Sequence, residues 1–326
     1  MILDKMGKNS DALHKNIIRE LSLYSKRNNI TKVLMAISGG ADSVATASFL
    51  LDAGLEILAL HCNFNLRGEE SHRDQKFVEN FCSEHKIPLE VKHFNVNEYI
   101  SRHKGCSLEM ACRNLRYQWF NKIKNEKNFD RIVTGHTADD NIETFLLNLL
   151  RGSGSRGLAG MKSDNGLIWR PLLEYHRNEF LPILETRHIN FIVDSSNLKN
   201  DYRRNFLRND VIPLIKSQFK GFDKALDKTI ANLRDENKII ESSIAQILGD
   251  KKKHLDIETI IKFPAPKLLV KRFIDPLSPF SKTPDEVLDS IIANKPHIRT
   301  WKLRNGTLIL RNKCLFIEMI HGESGS

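Results

Sequence analysis

An α/β fold, a doubly wound parallel sheet followed by a small α+β domain, is the class this sequence predicts. Two observations carry it. Short apolar runs at 33–37, 55–60, 89–94 and 131–134 alternate with amphipathic helical stretches, the rhythm of successive βα units. The segments beyond these runs are polar and glycine-bearing, and in an open parallel sheet the carboxyl ends of the strands are where ligands bind. At 326 residues, 40% apolar and 28% charged, the chain has room for two water-soluble domains.

The first helix, 10–28, places Leu13, Ile17, Ile18, Leu21 and Tyr24 on one face and leads into the strand at 33–37. That strand runs into Ser38-Gly39-Gly40-Ala41-Asp42-Ser43 and then a helix over 44–51. Two glycines let the backbone approach a bound group, while Ser38, Ser43 and the N–H groups of the first helical turn face the same space, an arrangement suited to phosphate or pyrophosphate. The lysine of a Walker A loop and the third glycine of a dinucleotide fingerprint are both missing. Asp42 stands where a lysine charge would otherwise be, and a carboxylate beside phosphates has a use if it holds Mg²⁺ that in turn holds them. Taken alone, the stretch also fits an ordinary βα turn of small residues.

The second strand, 55–60, ends in His61-Cys62-Asn63-Phe64-Asn65-Leu66-Arg67-Gly68, again at the ligand-binding edge. A helix over 69–86 turns Phe77, Phe81 and Cys82 inward ahead of the third strand, 89–94. The helix at 107–127 buries Leu108, Ala111, Cys112, Leu115, Trp119 and Ile123; its other stripe is Glu109, Arg113, Arg116 and Phe120, either a solvated salt-bridge row or a functional face. Strand four, 131–134, enters Gly135-His136-Thr137-Ala138-Asp139-Asp140-Asn141-Ile142-Glu143-Thr144 directly. Phe145, Leu146, Leu149 and Leu150 continue it as a helix, whose first turn favours carboxylates. Asp140 and Glu143 share a face, and Gly-His ahead of three carboxylates exceeds what a helix cap requires.

Residues 151–160 hold four glycines with Arg151 and Arg156, and are expected to be mobile until a ligand orders them. A strand at 168–172, a helix at 176–188 and a strand at 191–193 complete this half. After a turn at Asp194-Ser195-Ser196-Asn197, Arg203, Arg204 and Arg208 open a helix ending near Ile215; three arginines there either grip phosphates or coat a helix.

The boundary is expected at 217–221, giving a catalytic domain over 1–216 and a second domain over 222–326 that begins with a long linker helix at 223–248 and continues to Lys251-Lys252-Lys253. Thr283-Pro284-Asp285-Glu286 reads as a capping box. Asn305-Gly306 between runs at 301–304 and 307–310 predicts a hairpin with a type I′ turn, and 314–319 adds a third strand. From Asp201 onward 23 Lys/Arg stand against 16 Asp/Glu, most of the net +10, which suggests a polyanion partner. No apolar run reaches the length of a membrane span, the N-terminus lacks the apolar core of a secretory signal, and the five cysteines include no C-x-x-C pair, so the expectation is a cytoplasmic chain without a disulfide framework or zinc knuckle.

The motifs together resemble the PP-loop ATP pyrophosphatases and, within them, the tRNA(Ile)-lysidine synthases. Ser38 to Ser43 looks like the pyrophosphate loop; more specific are Glu109 to Tyr117, Thr134 to Thr144, Leu150 to Met161, Arg170-Pro171-Leu172-Leu173 and Asp194 to Arg208, in order over roughly residues 30 to 215. One departure is Phe64, where the family usually has a second histidine. The resemblance implies a reaction in which ATP adenylates C2–O of the wobble cytidine of a CAU-anticodon tRNA(Ile), pyrophosphate leaves, and free L-lysine displaces AMP to give lysidine. It implies ATP binding by Ser38, Gly39, Gly40, Ala41, Asp42, Ser43, His61, Gly135 and His136, with Mg²⁺ on Asp42. It also implies lysine recognition by Asp140 and Glu143, and contacts to cytidine, adenylate or phosphates from Arg113, Arg116 and Arg208. The loop at 151–160 would close over the adenylate, the second domain would bind tRNA as a single carboxyl-terminal module, and a homodimer is one assembly the resemblance suggests. The rivals are a PP-loop tRNA thiolase, which commonly uses paired cysteines, and a non-catalytic tRNA-binding protein.

Overall fold

The computed structural model describes residues 2–103, 105–193, 203–249, 253–278, 282–293 and 298–319. The chain divides into two compact units, 1–233 and 234–326. The division falls inside the long helix α11, Phe222–Leu248, rather than ahead of it. The expected turn at 194–197 and the lysines at 251 and 252 lie outside the described residues.

Five parallel strands form the sheet of the first unit: β1 Lys32–Ala36, β2 Glu56–Asn63, β3 Leu89–His93, β4 Arg131–Thr134 and β5 Ile168–Trp169, in the order β3-β2-β1-β4-β5. The chain builds outward from β1 on one side and returns to the other side with β4, so the reversal of strand order lies between β1 and β4. At such a point the connections diverge and leave a crevice at the carboxyl edge. β1 is buried on both faces, which explains its unbroken apolar run. Val33 and Met35 pack with Ile17 and Leu21 of α1 (Ile2–Arg27), Val44 and Phe49 of α2 (Ala41–Asp52), Val78 and Phe81 of α3 (Glu69–Glu84), and Phe180 of α8 (Arg177–Thr186). Leu34 turns the other way, against Trp119, Phe120 and Ile123 of α5 (Leu108–Glu126) and Val96 of α4 (Val96–Arg102). Each large side chain so buried contributes roughly 1.5–3 kcal/mol.

Several elements differ from the sequence reading. α4 has no counterpart in it; Asn95 caps this helix, its side chain accepting from the Glu98 N–H. The strand expected at 168–172 is only two residues long, because Arg170 N–H turns back to Ser163 O. Residues 191–193 form no strand of the sheet: Ile192 N–H donates to Gly39 O, making a single bridge to the loop beyond β1. The run from Arg203 is α9 (Arg203–Phe206), a π-helical turn (Leu207–Val211) and α10 (Ile212–Gln218), not one α-helix. The glycine-rich segment has defined structure. It contains the short helix α7 (Ser155–Leu158), and two side chains of α6 (Ala138–Leu150) pin it: Asn148 Nδ2 donates to Gly157 O, and Asn141 Oδ1 accepts from Met161 N–H.

One histidine ties three elements of this unit together. His176, at the N-cap of α8, has Nε2 2.9 Å from Asp227 Oδ2 on α11 and Nδ1 3.5 Å from Asp139 Oδ1 on α6. These two carboxylates push its pKa from 6.5 up to about 10.

The second unit has an antiparallel sheet, β6-β9-β8-β7, built from β6 His254–Asp256, β7 Arg299–Leu303, β8 Gly306–Arg311 and β9 Cys314–Met319. With α12 (Ile257–Lys262), α13 (Pro266–Ile274) and α14 (Thr283–Ile292) it encloses a core that includes Leu255, Leu269, Phe273, Leu308 and Leu315. The type I′ turn is at the other hairpin. Asn312 and Lys313, between β8 and β9, have φ of 49° and 58°, whereas Asn305 does not take positive φ and Gly306 is already paired with Leu303. Gly306 answers to space instead: a Cβ there would lie 2.2 Å from Glu318 O and 2.7 Å from Leu277 Cδ2. The capping box is also missing, since α14 begins at Thr283 itself and Lys282 at its N-cap makes no side-chain cap bond.

This packing sets two expected outcomes. Gly306→Ala should cost about 2 kcal/mol by forcing β8 and β9 apart, read as a lower midpoint of denaturant unfolding and faster amide exchange across that hairpin. For His176 the folded pKa lies above the unfolded value, so its contribution is complete below pH 6.5 and is lost as pH rises through about 10. His176→Gln should therefore lower thermal stability near neutral pH and flatten the alkaline part of the melting-temperature profile.

Candidate active site

A cavity of about 740 Å³ opens at the crevice between β1 and β4. Its floor is the loop after β1. Gly39 takes φ +90°, a conformation that favours glycine, and a Cβ on it would meet Ile192 Cδ1 at 2.7 Å. Gly40 is the extended N-cap of α2 and no side chain caps it, while Ser43 and Val44 N–H already donate to Gly40 O. The first amides of α2 thus stand at an open helix end facing the cavity, where an anion is favoured. Ser43 Oγ donates to Gly40 O and lies 3.2 Å from Ser38 Oγ, which holds the two hydroxyls side by side.

The loop after β4 is pressed against this one. A Cβ on Gly135 would lie 2.8 Å from the Asp42 carbonyl carbon and oxygen and 2.9 Å from Ser43 N, so this glycine sets how closely the two loops approach. His136 Nδ1 is 2.8 Å from Thr134 Oγ1, and burial pushes its pKa down to about 4, leaving a neutral ring at pH 7. His61 Nδ1 donates to Ile37 O at 3.0 Å, and burial lowers its pKa as well. Thr137 caps α6 reciprocally with Asp140: Asp140 Oδ2 accepts from Thr137 N–H at 3.0 Å.

Carboxylates and guanidiniums alternate across this edge. Arg177, the first residue of α8, donates from Nε to both oxygens of Asp42 at 2.9 Å, and its Nη2 lies 3.3 Å from both oxygens of Asp140. Its backbone N–H is fixed by Asp139 Oδ2 at 2.8 Å. Against the cost of burial, His176 and the Arg177 amide hold Asp139 down at about 2. Arg208 Nη2 reaches Asp140 Oδ1 at 3.1 Å and Glu143 Oε2 at 2.9 Å, its Nε pairs with Glu143 Oε1, and Arg204 Nε lies 3.0 Å from Glu143 Oε2. Burial raises the pKa of Asp42 and of Glu143 even though each faces an arginine.

The residues singled out from the sequence do converge here, and the structure separates their situations. Ser38, Gly40, Ala41, Asp42, Ser43, His61, Arg113, Arg116, Gly135, His136, Asp140 and Arg208 line the cavity. Glu143, only 1% exposed, lies behind Arg208 and outside the lining, and no residue of 151–160 reaches it either. Phe120, expected on the polar stripe of α5, is buried at 1%. Arg116 lies over the Phe64 ring at 5.6 Å and Arg113 over the Tyr117 ring at 5.0 Å, so the position where Phe64 replaces a histidine supports an arginine of the cavity wall. Sequence reasoning misses Arg177. It stands 135 residues from Asp42, and its one local signal is the His-Arg pair opening a helix after β5.

A Mg²⁺ ion needs one or two carboxylates and takes the rest of its shell from phosphate and water. Among the described residues no cluster of three or more His, Cys, Asp or Glu side chains is arranged to hold a metal. Asp42 suits an ion carried in by phosphates, and in this structure both its oxygens face Arg177. No helix among the described residues is long and apolar enough to cross a membrane.

The tRNA(Ile)-lysidine synthase of Bacteroides thetaiotaomicron is 40% identical over 250 residues, covering 76% of this chain and 58% of that protein. The synthase of the same name from Porphyromonas gingivalis is 42% identical over 221 residues, 67% of this chain and 48% of the relative. The chain thus spans about half of the length of the curated relatives it matches. Among solved structures, the U34-tRNA thiolase NcsA of Methanococcus maripaludis superposes with a TM-score of 0.51 at 19% identity, over 67% of this chain and 80% of that one, a likeness of fold. The family model described as the PP-loop domain matches residues 13–215, the span that carries the open α2 end and every charged group of the cavity. On that match the chain belongs to the PP-loop family.

Proposed function

We propose that this chain uses ATP to adenylate the wobble cytidine of a CAU-anticodon tRNA(Ile) and then joins free lysine to its C2, releasing AMP and pyrophosphate. The observation that carries the reading is that one cavity offers an open helix end for phosphates beside arginines and a carboxylate that phosphates and amines can engage. The identity to proteins named tRNA(Ile)-lysidine synthase supports it.

The α2 amides, Ser38 and Ser43 receive the pyrophosphate that leaves. Mg²⁺ on Asp42, when bound, neutralises charge gathering on that group. Arg113 and Arg116, backed by Tyr117 and Phe64, make flat cationic surfaces on which a base flipped out of an RNA loop stacks. The two acids then divide the amine's needs. Asp140 stands in the cavity wall and receives the lysine ammonium, whereas Glu143 fixes Arg208 from behind. A carboxylate at this end also accepts the proton the amine must lose before it attacks. The thiolase alternative is disfavoured by Cys62, the cysteine in the cavity lining, whose thiol burial pushes up to about 12, far from the thiolate that sulfur transfer uses. Residues 234–326 hold 16 Lys/Arg against 12 Asp/Glu, a basic surplus that supports tRNA binding by the second unit.

The decisive experiment combines purified protein, Mg-ATP, labelled lysine and a CAU-anticodon tRNA(Ile) transcript. Label should enter the RNA with matching AMP, and absence of both overturns the reading. Two half-reactions can then be separated. Asp42→Ala should stop pyrophosphate release, whereas Glu143→Ala should cut lysine transfer and leave release measurable; equal loss in both variants contradicts the division of roles. Gly135→Ala should lower pyrophosphate release about tenfold or more by spreading the two loops, and should lower the melting temperature as well, because its Cβ meets backbone of Asp42 and Ser43.

A further inference from the structure

Asp42, the carboxylate proposed to meet the nucleotide's metal ion, is not free to do so. Both its oxygens accept from Arg177, Nε at 2.9 Å to each and Nη2 at 2.8 Å to Oδ2. A planar guanidinium on a carboxylate is a strong form of this contact, and it sets a positive charge against the oxygens that a cation would need. Arg177 also has a second place to go. Its backbone is tied to Asp139, so the helix end stays put while the side chain pivots, and Asp140 already accepts a longer contact at 3.3 Å. Asp42, Arg177 and Asp140 line the same cavity as the open end of α2, so phosphates held at that end share the cavity with Arg177.

We infer that Arg177 is a phosphate-binding residue that latches Asp42 in the nucleotide-free protein, and that arriving phosphates draw it off and free Asp42 for a divalent cation. The latch deepens the proposed reaction and rests on its assignment of the phosphate end, but not on the identity of the RNA or of the amine. Its consequence is an order. A cation presented without phosphates meets a carboxylate already paired, and phosphates presented without a cation must compete with Asp42 for Arg177. Removing Asp42 leaves Arg177 with its longer contact to Asp140, and removing Arg177 leaves the Asp42 carboxylate without its guanidinium partner.

The test uses the full chain without tRNA or lysine, so its outcome is independent of the lysine-transfer assay. Manganese alone, titrated by the loss of its free-ion electron paramagnetic resonance signal, should bind the native protein weakly. It should bind the Arg177→Gln variant about tenfold tighter or more, with the gain removed by adding Asp42→Asn. In the mirror experiment, inorganic pyrophosphate in EDTA, followed by calorimetry, should bind Asp42→Asn about tenfold tighter than the native protein, because Arg177 is released. Loss of the Asp42 charge also relieves simple repulsion of pyrophosphate, so the latch is read from the double variant: the gain of Asp42→Asn should shrink to that relief on an Arg177→Gln background, and an equal gain on both backgrounds overturns the inference. Unchanged or weaker pyrophosphate binding by Asp42→Asn overturns the inference, as does unchanged manganese binding by a folded Arg177→Gln. Should Arg177→Gln fail to fold, Arg177→Lys, which keeps the charge and loses the planar fork, takes its place in both titrations.

Discussion

The structure of the site depends on one run of opposite charges, Asp42, Arg177, Asp140, Arg208, Glu143 and Arg204, each in contact with the next. Glu143 and Asp140 are the members taken furthest from water, and in such places well-packed apolar side chains commonly do as well or better for stability. What the run provides is position. α2, α6, α8, α9 and the π-helical turn contribute to it; Arg177 and Arg208 are each shared between two acids, and Arg204 is held by Glu143 Oε2 and Thr144 Oγ1. Three acids against three arginines leave the run neutral overall. A phosphate or ammonium group that pairs with a member of the run competes with the neighbour that member already has.

The fold is legible in the sequence because a parallel sheet buried on both faces writes itself as continuous apolar strands, and β1 through β4 are found that way. The loops at the strand ends are legible for a related reason: at the open edge polar residues and glycines have no packing role to play, so Ser38–Ser43 and Gly135–Thr144 stand out. The failures lie where a residue's purpose depends on something distant. Arg177 is one more charge on an amphipathic helix until Asp42 is placed beside it, and His176 looks like a helix start until Asp227 of α11 comes within 2.9 Å. Asn305-Gly306 carries the stronger dipeptide signal, yet the left-handed turn forms at Asn312-Lys313, and Gly306 is required by the carbonyl of Glu318 across the sheet. Short strands such as β6 and the two-residue β5 carry too few residues for a period of two to register.

The glycine-rich segment after α6 shows glycines that answer to close packing. Four glycines in ten residues suggest a flap, but Gly160 is there because Asn141 leaves no room for a Cβ: its Oδ1 would be 2.2 Å away while it accepts from Met161. Gly157 likewise crowds Ser153, with a Cβ placed 2.7 Å from that side chain. Small residues here let a loop lie flat on a helix. The two asparagines that hold it sit on the same helix as Asp140 and Glu143, so the loop braces the element that carries the acids.

The π-helical turn at Leu207–Val211 bears on how this region tolerates change in length. A turn of this kind holds one residue more than the α-helix around it, and one residue is about 100° of rotation. Side chains after the turn therefore point about a quarter of a circle away from where an uninterrupted helix from Arg203 would send them. In the language of insertions and deletions, removing one residue between 207 and 211 would leave composition and helical character intact and still misdirect everything on one side of the cut. Arg208 lies inside that turn, so its reach to both Asp140 and Glu143 is a matter of reading frame in three dimensions, set by a count of residues as much as by their kind.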